Sequence, residues 1–319
     1  MNNVVDLKSD FDIGALSDPG RKRGAEPNQD CIQVLPADPG RGMPTLFIVA
    51  DGMGGYQGGA VASKKVVEAV AECYRQAEDA SDLPNLLAAC LQAAFSSLRV
   101  HAVEHPDLAS MGSTAVLAAV QDKLVFVANV GDSRAYLVRK HSDQADSPTV
   151  TDFRRKRRTR SSKFGHGISK FLGAKKRLHD QIDSSDRVNE IQQLNFDHSV
   201  VADQVRAGLI TPLQARWHPK RNRLTQSISP KRMEIKPYLT QTSFGDYDTL
   251  ILCTDGLWGM VPEAILQAIA LELPPQEAAE KLVNLANQNG GPDNISVIIA
   301  RRSGAVQIKG IVAEDDKGG

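Results

Sequence analysis

The chain has 319 residues, 41% hydrophobic and 24% charged, with a formal net charge of zero. This is the composition of a globular protein, long enough for one large domain or two ordinary ones, and its neutral balance names no polyanionic partner for the chain as a whole. No apolar run approaches the roughly 20 residues a membrane helix needs, and Met1 to Asp12 lacks the hydrophobic stretch of a signal peptide. Four scattered cysteines (Cys31, Cys73, Cys90, Cys253) form neither a CxxC pair nor a zinc spacing, so reduced thiols in a cytoplasmic protein are expected.

Residues 11 to 35 read as strand, turn, strand, with Asp18-Pro19-Gly20 as turn residues and Cys31 to Leu35 of strand composition. The intervening loop carries Arg21, Lys22 and Arg23 shortly before Asn28-Gln29-Asp30. It suits either a solvated hairpin loop or a phosphate site beside a carboxylate. Leu46 to Ala50 is an apolar strand that runs into Asp51, followed by Gly52, Gly54, Gly55, Gly58 and Gly59. A strand end holds a carboxylate rigidly, and glycine lets bare backbone approach a ligand. Asp-Gly is also ordinary turn chemistry, so this stretch alone leaves a turn and a metal corner equally open.

Ala60 to Glu78 and Leu83 to His105 carry apolar residues at helical spacing and suit two amphipathic helices on a sheet face. Three short strands follow, Thr114 to Val120, Leu124 to Val130 and Arg134 to Arg139, joined by Gln121-Asp122 and Gly131-Asp132-Ser133. Linkers this short join antiparallel neighbours, so the expected class is α+β with antiparallel sheets. From Arg154 to Arg177 there are eleven Lys/Arg and no acid. Its first half cannot bury a core and is expected to be mobile. Its second half spaces Phe164, Ile168, Phe171 and Leu172 as a marginal cationic amphipathic helix. A solvated insertion is the simplest reading; contact with an acidic protein, an anionic lipid surface or nucleic acid is the alternative.

Order is expected to return at Leu194, with one helix over Ser199 to Ala207 and another over Thr211 to Arg216, the latter with threonine as N-cap and proline at the first helical position. Strands are expected at Leu224 to Ile228, Lys236 to Thr240 and Thr249 to Thr254. The last of these runs into Asp255-Gly256, repeating the arrangement at Asp51-Gly52. Helices over Pro262 to Ala270 and Gln276 to Gln288, the turn Gly290 to Asn294 and a strand over Ile295 to Ala300 complete the pattern.

Five aspartates thus sit at strand ends or turns: Asp30, Asp51, Asp132, Asp255 and Asp293. An all-oxygen set suits hard divalent ions such as Mg²⁺ or Mn²⁺ and disfavours zinc. Carboxylates brought together repel unless cations neutralise them. A pair of ions roughly 3.5–4 Å apart is a recurring device for hydrolysing phosphate esters.

The ordered motifs Asn28-Gln29-Asp30, Val49-Ala50-Asp51-Gly52-Met53-Gly54-Gly55, Met111-Gly112-Ser113-Thr114, Ala128 to Arg134, Leu224-Thr225-Gln226, Cys253 to Trp258 and Gly291 to Val297 resemble those of the bacterial type 2C metal-dependent Ser/Thr protein phosphatases. The resemblance implies a four-layer α-β-β-α sandwich of two antiparallel sheets flanked by helices. One phosphatase domain over residues 1–305 is expected, interrupted by a basic mobile insertion over 141–193, with a flap segment over 194–223 and a flexible tail over 306–319. It implies two or three Mn²⁺ or Mg²⁺ ions held by Asp30, Asp51, the Gly52 carbonyl, Asp132, Asp255 and Asp293. Asp51 would bridge two ions, Asp255 and Asp293 would complete the other site, and Asp132 would join Asp255 at a third. Direct attack of a metal-bridging hydroxide on phosphorus, without a phosphoenzyme, is the implied mechanism. The flap resemblance singles out His198, His218 and Arg221 as residues facing substrate.

Three positions depart from the family pattern. Ala25 stands where the phosphate-binding arginine usually lies, which leaves Arg23, or else Arg21, for that role. Met53 replaces a histidine proposed as general acid in eukaryotic members, and Gln29 replaces a metal-binding glutamate. The expected partners are phosphorylated proteins, either kinase substrates or the kinase itself, and the enzyme is expected to be a monomer. The rivals are a non-catalytic phosphoprotein-binding module and a polyanion-binding adaptor acting through the basic insertion.

Overall fold

Alternation of side chains along the strands sorts the apolar residues into three separate cores. The computed structural model describes residues 11–24, 26–55, 57–139 and 190–302. The strands are β1 (Phe11–Asp18), β2 (Asp30–Leu35), β3 (Leu46–Met53), β4 (Gly112–Ser113), β5 (Ala115–Gln121), β6 (Leu124–Val130), β7 (Arg134–Arg139), β8 (Glu190–Gln193), β9 (Tyr238–Ser243), β10 (Thr249–Cys253) and β11 (Ile295–Arg302). The helices are α1 (Gly58–Gln76), α2 (Leu83–Glu104), α3 (Val200–Arg206), α4 (Pro212–Trp217), α5 (Asp255–Trp258), α6 (Glu263–Glu272) and α7 (Pro275–Gln288).

One sheet has the order β1-β11-β10-β7-β8 and the other β2-β3-β5-β6-β9, with β4 on the end of β3. All pairings are antiparallel. On β3, Phe47 and Val49 point into a core between the sheets, while Leu46, Ile48 and Ala50 point toward α1 and α2. On β10, Leu250 and Leu252 join the inter-sheet core, while Ile251 and Cys253 face α6 and α7. The result is the four-layer α-β-β-α sandwich implied by the motifs.

The helices obey their local signals. The Ser199 hydroxyl caps α3 by accepting from the Ala202 N–H, and Thr211 and Gln214 form a reciprocal capping box at α4. At 22 residues, α2 is long and apolar enough by composition alone to cross a membrane, contrary to the reading that no such run exists. Its buried stripe, Leu83, Leu87, Cys90, Leu91, Ala94, Phe95 and Leu98, packs into the core beneath the second sheet, so here it serves as a core helix.

Four expectations change. β3 does not stop at Ala50 but continues through Asp51 to Met53, because Asp51 pairs with Asp30 and Gly52 with Ser113. Gly131-Asp132-Ser133 is not a hairpin turn: β6 and β7 lie in different sheets, and these residues carry the chain across the sandwich. Leu224 to Ile228 makes only isolated bridges, Ser199 with Leu224 and Ser113 with Ile228. Order returns earlier than Leu194, since Glu190–Gln193 adds β8 to the edge of β7. The remainder of the basic insertion, where a cationic helix was expected, and the tail after Arg302 lie outside the described residues.

Phe47 is fully buried and meets Phe11 edge to face, ring centroids 5.6 Å apart. Phe47→Ala is expected to lower the unfolding free energy by about 3–5 kcal/mol, read from urea denaturation.

Candidate active site

Antiparallel pairing places Asp30 of β2 directly opposite Asp51 of β3. The Asp51 backbone is pinned on its other side: its N–H donates to Thr114 Oγ1 (3.0 Å), and its carbonyl accepts from the Thr114 N–H (2.8 Å) and Ser113 Oγ (2.9 Å). Gly52 donates its N–H to the Gln29 carbonyl at 3.0 Å. A Cβ at Gly52 would lie 2.0 Å from the Gly59 carbonyl oxygen and 2.7 Å from that of Gln29, so only glycine fits between strand and helix.

The other sheet supplies the facing pair. Asp255 opens α5 directly after β10, and Asp293 lies two residues before β11. A Cβ at Gly256 would come within 1.9 Å of the Asn294 carbonyl oxygen, so the absence of a side chain there lets the two aspartate-bearing loops touch. Asn294 ties them to the connection between β1 and β2: its Oδ1 accepts from the Gln29 N–H (3.0 Å) and its Nδ2 donates to the Pro19 carbonyl (2.9 Å). Thr254 joins the sheets more directly. Its Oγ1 accepts from the Ser296 N–H at 3.0 Å and donates to Asp30 Oδ2 at 2.9 Å.

Asp132 enters on the crossing from β6 to β7, and Trp258 of α5 donates its indole N–H to the Asp132 carbonyl at 3.0 Å. Arg134 stacks on the Trp258 ring, 3.6 Å from its centroid, and forks onto Asp197 at 2.7 Å. His198, next in the chain, accepts from the Gly131 N–H through Nδ1 (3.2 Å), while its own N–H donates to the Gly131 carbonyl (2.9 Å). The start of the 194–223 segment is therefore fastened to the turn that carries Asp132.

These carboxyls sense one another. Burial, followed by the charges of Asp30, Asp255, Asp132 and Asp293, holds Asp51 well above the usual carboxylate range. Burial pushes Asp30 up to about 7 against the hydrogen bonds from Ser296 and Thr254. Burial and then Asp293 raise Asp255 to about 6, with Arg23 opposing. Asp132 is also driven well up by burial, then by Asp255 and Asp197. Among the described residues, Asp30 Oδ1 and Asp255 Oδ1 are buried oxygens with no hydrogen-bond partner. Unpartnered buried carboxylate oxygens among mutually repelling acids call for cations. The donors are all oxygen, so hard divalent ions fit this set.

The structure brings Asp30, Asp51, Gly52, Asp132, Asp255 and Asp293 to one end of the sandwich. Arg23 lies at its edge, with Nε 3.1 Å from Asp293 Oδ1 and Nη2 3.3 Å from Oδ2. Arg21 is exposed, and its backbone N–H bonds Asn287 Oδ1. Of the three flap residues, His198 is buried at the flap's base and faces Gly131, whereas His218 is half-buried at the end of α4 and Arg221 is exposed. Sequence reasoning named no role for Thr254, Ser296, Asn294, Arg134 or Asp197, although the first four lie inside the quoted motifs. A polar residue flanking four of the five motif aspartates, all but Asp51, was the available signal.

The model of the protein phosphatase 2C family matches residues 15–295, and the chain belongs to that family. It is a metal-dependent protein phosphatase. It is 29% identical over 262 residues to the serine/threonine phosphatase stp of Listeria monocytogenes, covering 81% of this chain and 84% of that protein. It superposes on Stp1 from Staphylococcus aureus with a TM-score of 0.70 at 26% identity, covering 92% of this chain and 96% of that one. The catalytic domain of the serine/threonine protein phosphatase PstP, crystallised with two manganese ions, gives a TM-score of 0.66 at 26% identity, with 91% and 97% covered.

Because Asp30 and Asp255 titrate near 7 and 6 when folded, against an ordinary value of 3.8, the folded metal-free protein binds more protons than the unfolded chain across that interval. Their contribution therefore favours folding at low pH and is lost as pH rises through 6 to 7. Thermal unfolding of chelator-treated protein should show a melting temperature that falls between pH 5 and 8. The increment on adding Mn²⁺ should grow over the same range, because the ions need deprotonated carboxylates. A rising melting temperature in chelator would contradict this.

Proposed function

We propose that the chain removes phosphate from phosphoserine and phosphothreonine in proteins, with Asp30, Asp51, the Gly52 carbonyl, Asp132, Asp255 and Asp293 holding two or three Mn²⁺ or Mg²⁺ ions. The observation that carries the reading is the pair of unpartnered buried oxygens, Asp30 Oδ1 and Asp255 Oδ1, inside a cluster of five carboxyls. When bound, the ions supply Lewis acidity toward the phosphoryl oxygens and toward a water.

The chain's own groups do the rest. Thr254 fixes the Asp30 carboxyl through Oδ2, which leaves Oδ1 without a protein partner and available to an ion or to water on it. Arg23 uses Nε and Nη2 on Asp293. Its remaining N–H donors stay available, so it can stay paired and still grip a phosphate oxygen with a charge-assisted bond. Met53 offers a thioether and cannot donate a proton to the leaving serine or threonine oxygen. We place the protein in the cytoplasm, acting on kinase substrates or on a kinase. The four cysteines, all free, suit a reducing compartment.

Asp51→Ala and Asp255→Ala are each expected to lower Mn²⁺-dependent turnover of p-nitrophenyl phosphate by at least about 10²–10³-fold, the scale of losing a group that stabilises developing charge. Activity undiminished in either variant would refute the assignment. A wild-type protein that binds phosphopeptides without turning them over would instead make it a binding module.

A further inference from the structure

We infer that the last turn of α2 is a second metal site, built from His101, Glu104 and His105 and selective for a nitrogen-preferring divalent ion such as Zn²⁺. His101 and Glu104 lie in the last turn of the helix, and His105 is its C-cap, held by its backbone N–H donating to the His101 carbonyl at 2.9 Å. One donor atom from each lies within 4.8 Å of the others. The two imidazoles are already side by side, ring centroids 4.3 Å apart with planes at 45°. Zinc bonds of about 2.0–2.2 Å put two ligands of one tetrahedral ion roughly 3.4 Å apart. Rotation of Glu104 and His105, both exposed, is enough to close that difference.

The surroundings favour a cation. The site sits at the C-terminal end of a 22-residue helix, where the backbone presents its negative pole. Asp107 adds a carboxylate nearby, and Lys65 is the cation that opposes it. Two imidazoles and one carboxylate leave a fourth position for water. This donor set differs in kind from the all-oxygen cluster, so the two sites should sort ions: manganese or magnesium to the aspartates, zinc to the histidines.

The site is joined to the cleft by a short path. From His105 the chain turns through Pro106–Leu108 to Met111, against whose Cα a Cβ on Gly54 would press at 2.8 Å. The next residues, Gly112 to Thr114, brace Asp51. An ion clamping the last turn of α2 would therefore stiffen the segment behind the catalytic strand.

Cobalt(II) replaces zinc and is visible, absorbing far more strongly with four ligands than with six oxygens. The untagged full chain, with excess Mg²⁺ filling the carboxylate cluster, is titrated with Co²⁺. One equivalent with a four-coordinate visible spectrum is expected in the wild type. The band should disappear in His101→Ala and His105→Ala. In Glu104→Gln the Co²⁺ affinity should fall at least about tenfold, the lower end of what losing even an outer-shell partner costs a metal site. Mn²⁺-dependent turnover within about twofold of wild type in all three would confirm that they fold. An absent band, or one that survives unchanged in any of the variants, overturns the site.

Discussion

Five carboxyl groups gathered at one end of a sandwich repel each other, and much of the surrounding structure exists to hold them there. Each is partly or wholly withdrawn from water, and Arg23 and Arg134 bring positive charge close. Desolvation and mutual repulsion both favour the neutral acid at Asp30, Asp51, Asp132 and Asp255. Metal ions convert the same geometry into an attraction. What keeps the acids together in either state is the backbone. Asp30 and Asp51 are locked by strand register, and Asp255 and Asp293 by two loops in van der Waals contact.

The hydrogen bonds around the cluster run between the sheets as much as within them. Thr254 links β10 to Asp30 and Ser296, and Asn294 links the loop before β11 to Gln29 and Pro19. These polar ties sit at the end of an inter-sheet core built from Phe47, Val116, Leu137, Leu250 and Ile298. The apolar layer supplies the driving force for closing the sandwich, and the polar ties fix the angle at which its rim closes. On the third side, Arg134 between Trp258 and Asp197, and His198 against Gly131, root the flap in the turn that presents Asp132.

Most of this fold could be read from the chain because its central strands are apolar and are marked by Asp51-Gly52, Asp255-Gly256 and Asp293-Asn294. Helix starts were equally visible at Ser199 and Thr211, where the capping residues are unambiguous. Three features were not. Glu190–Gln193 is polar and follows a long basic stretch, so nothing local marks it as a strand; it exists because β7 offers an edge. Leu224 to Ile228 has strand composition but lies where only single bridges are available. The turn at Asp132 is as short as a hairpin, and only packing decides that it crosses between sheets. The five aspartates were legible as candidates by position, whereas the partners that orient them come from residues distant in sequence. Thr254 to Asp30 spans 224 positions.

β11 is inserted between β1 and β10, so among the described strands the first in the chain is bridged to its sheet by the last. On a ribosome, β1 waits for that partner through the synthesis of nearly the whole domain, roughly tens of seconds at ordinary elongation rates. During that wait its hydrogen-bonding edge is open to any other strand. The same insertion sets Asp293 beside Asp255. On the reading proposed for the aspartates, a nascent chain has no complete ion site until β11 slots home, and competence would arrive late, with closure of the sheet.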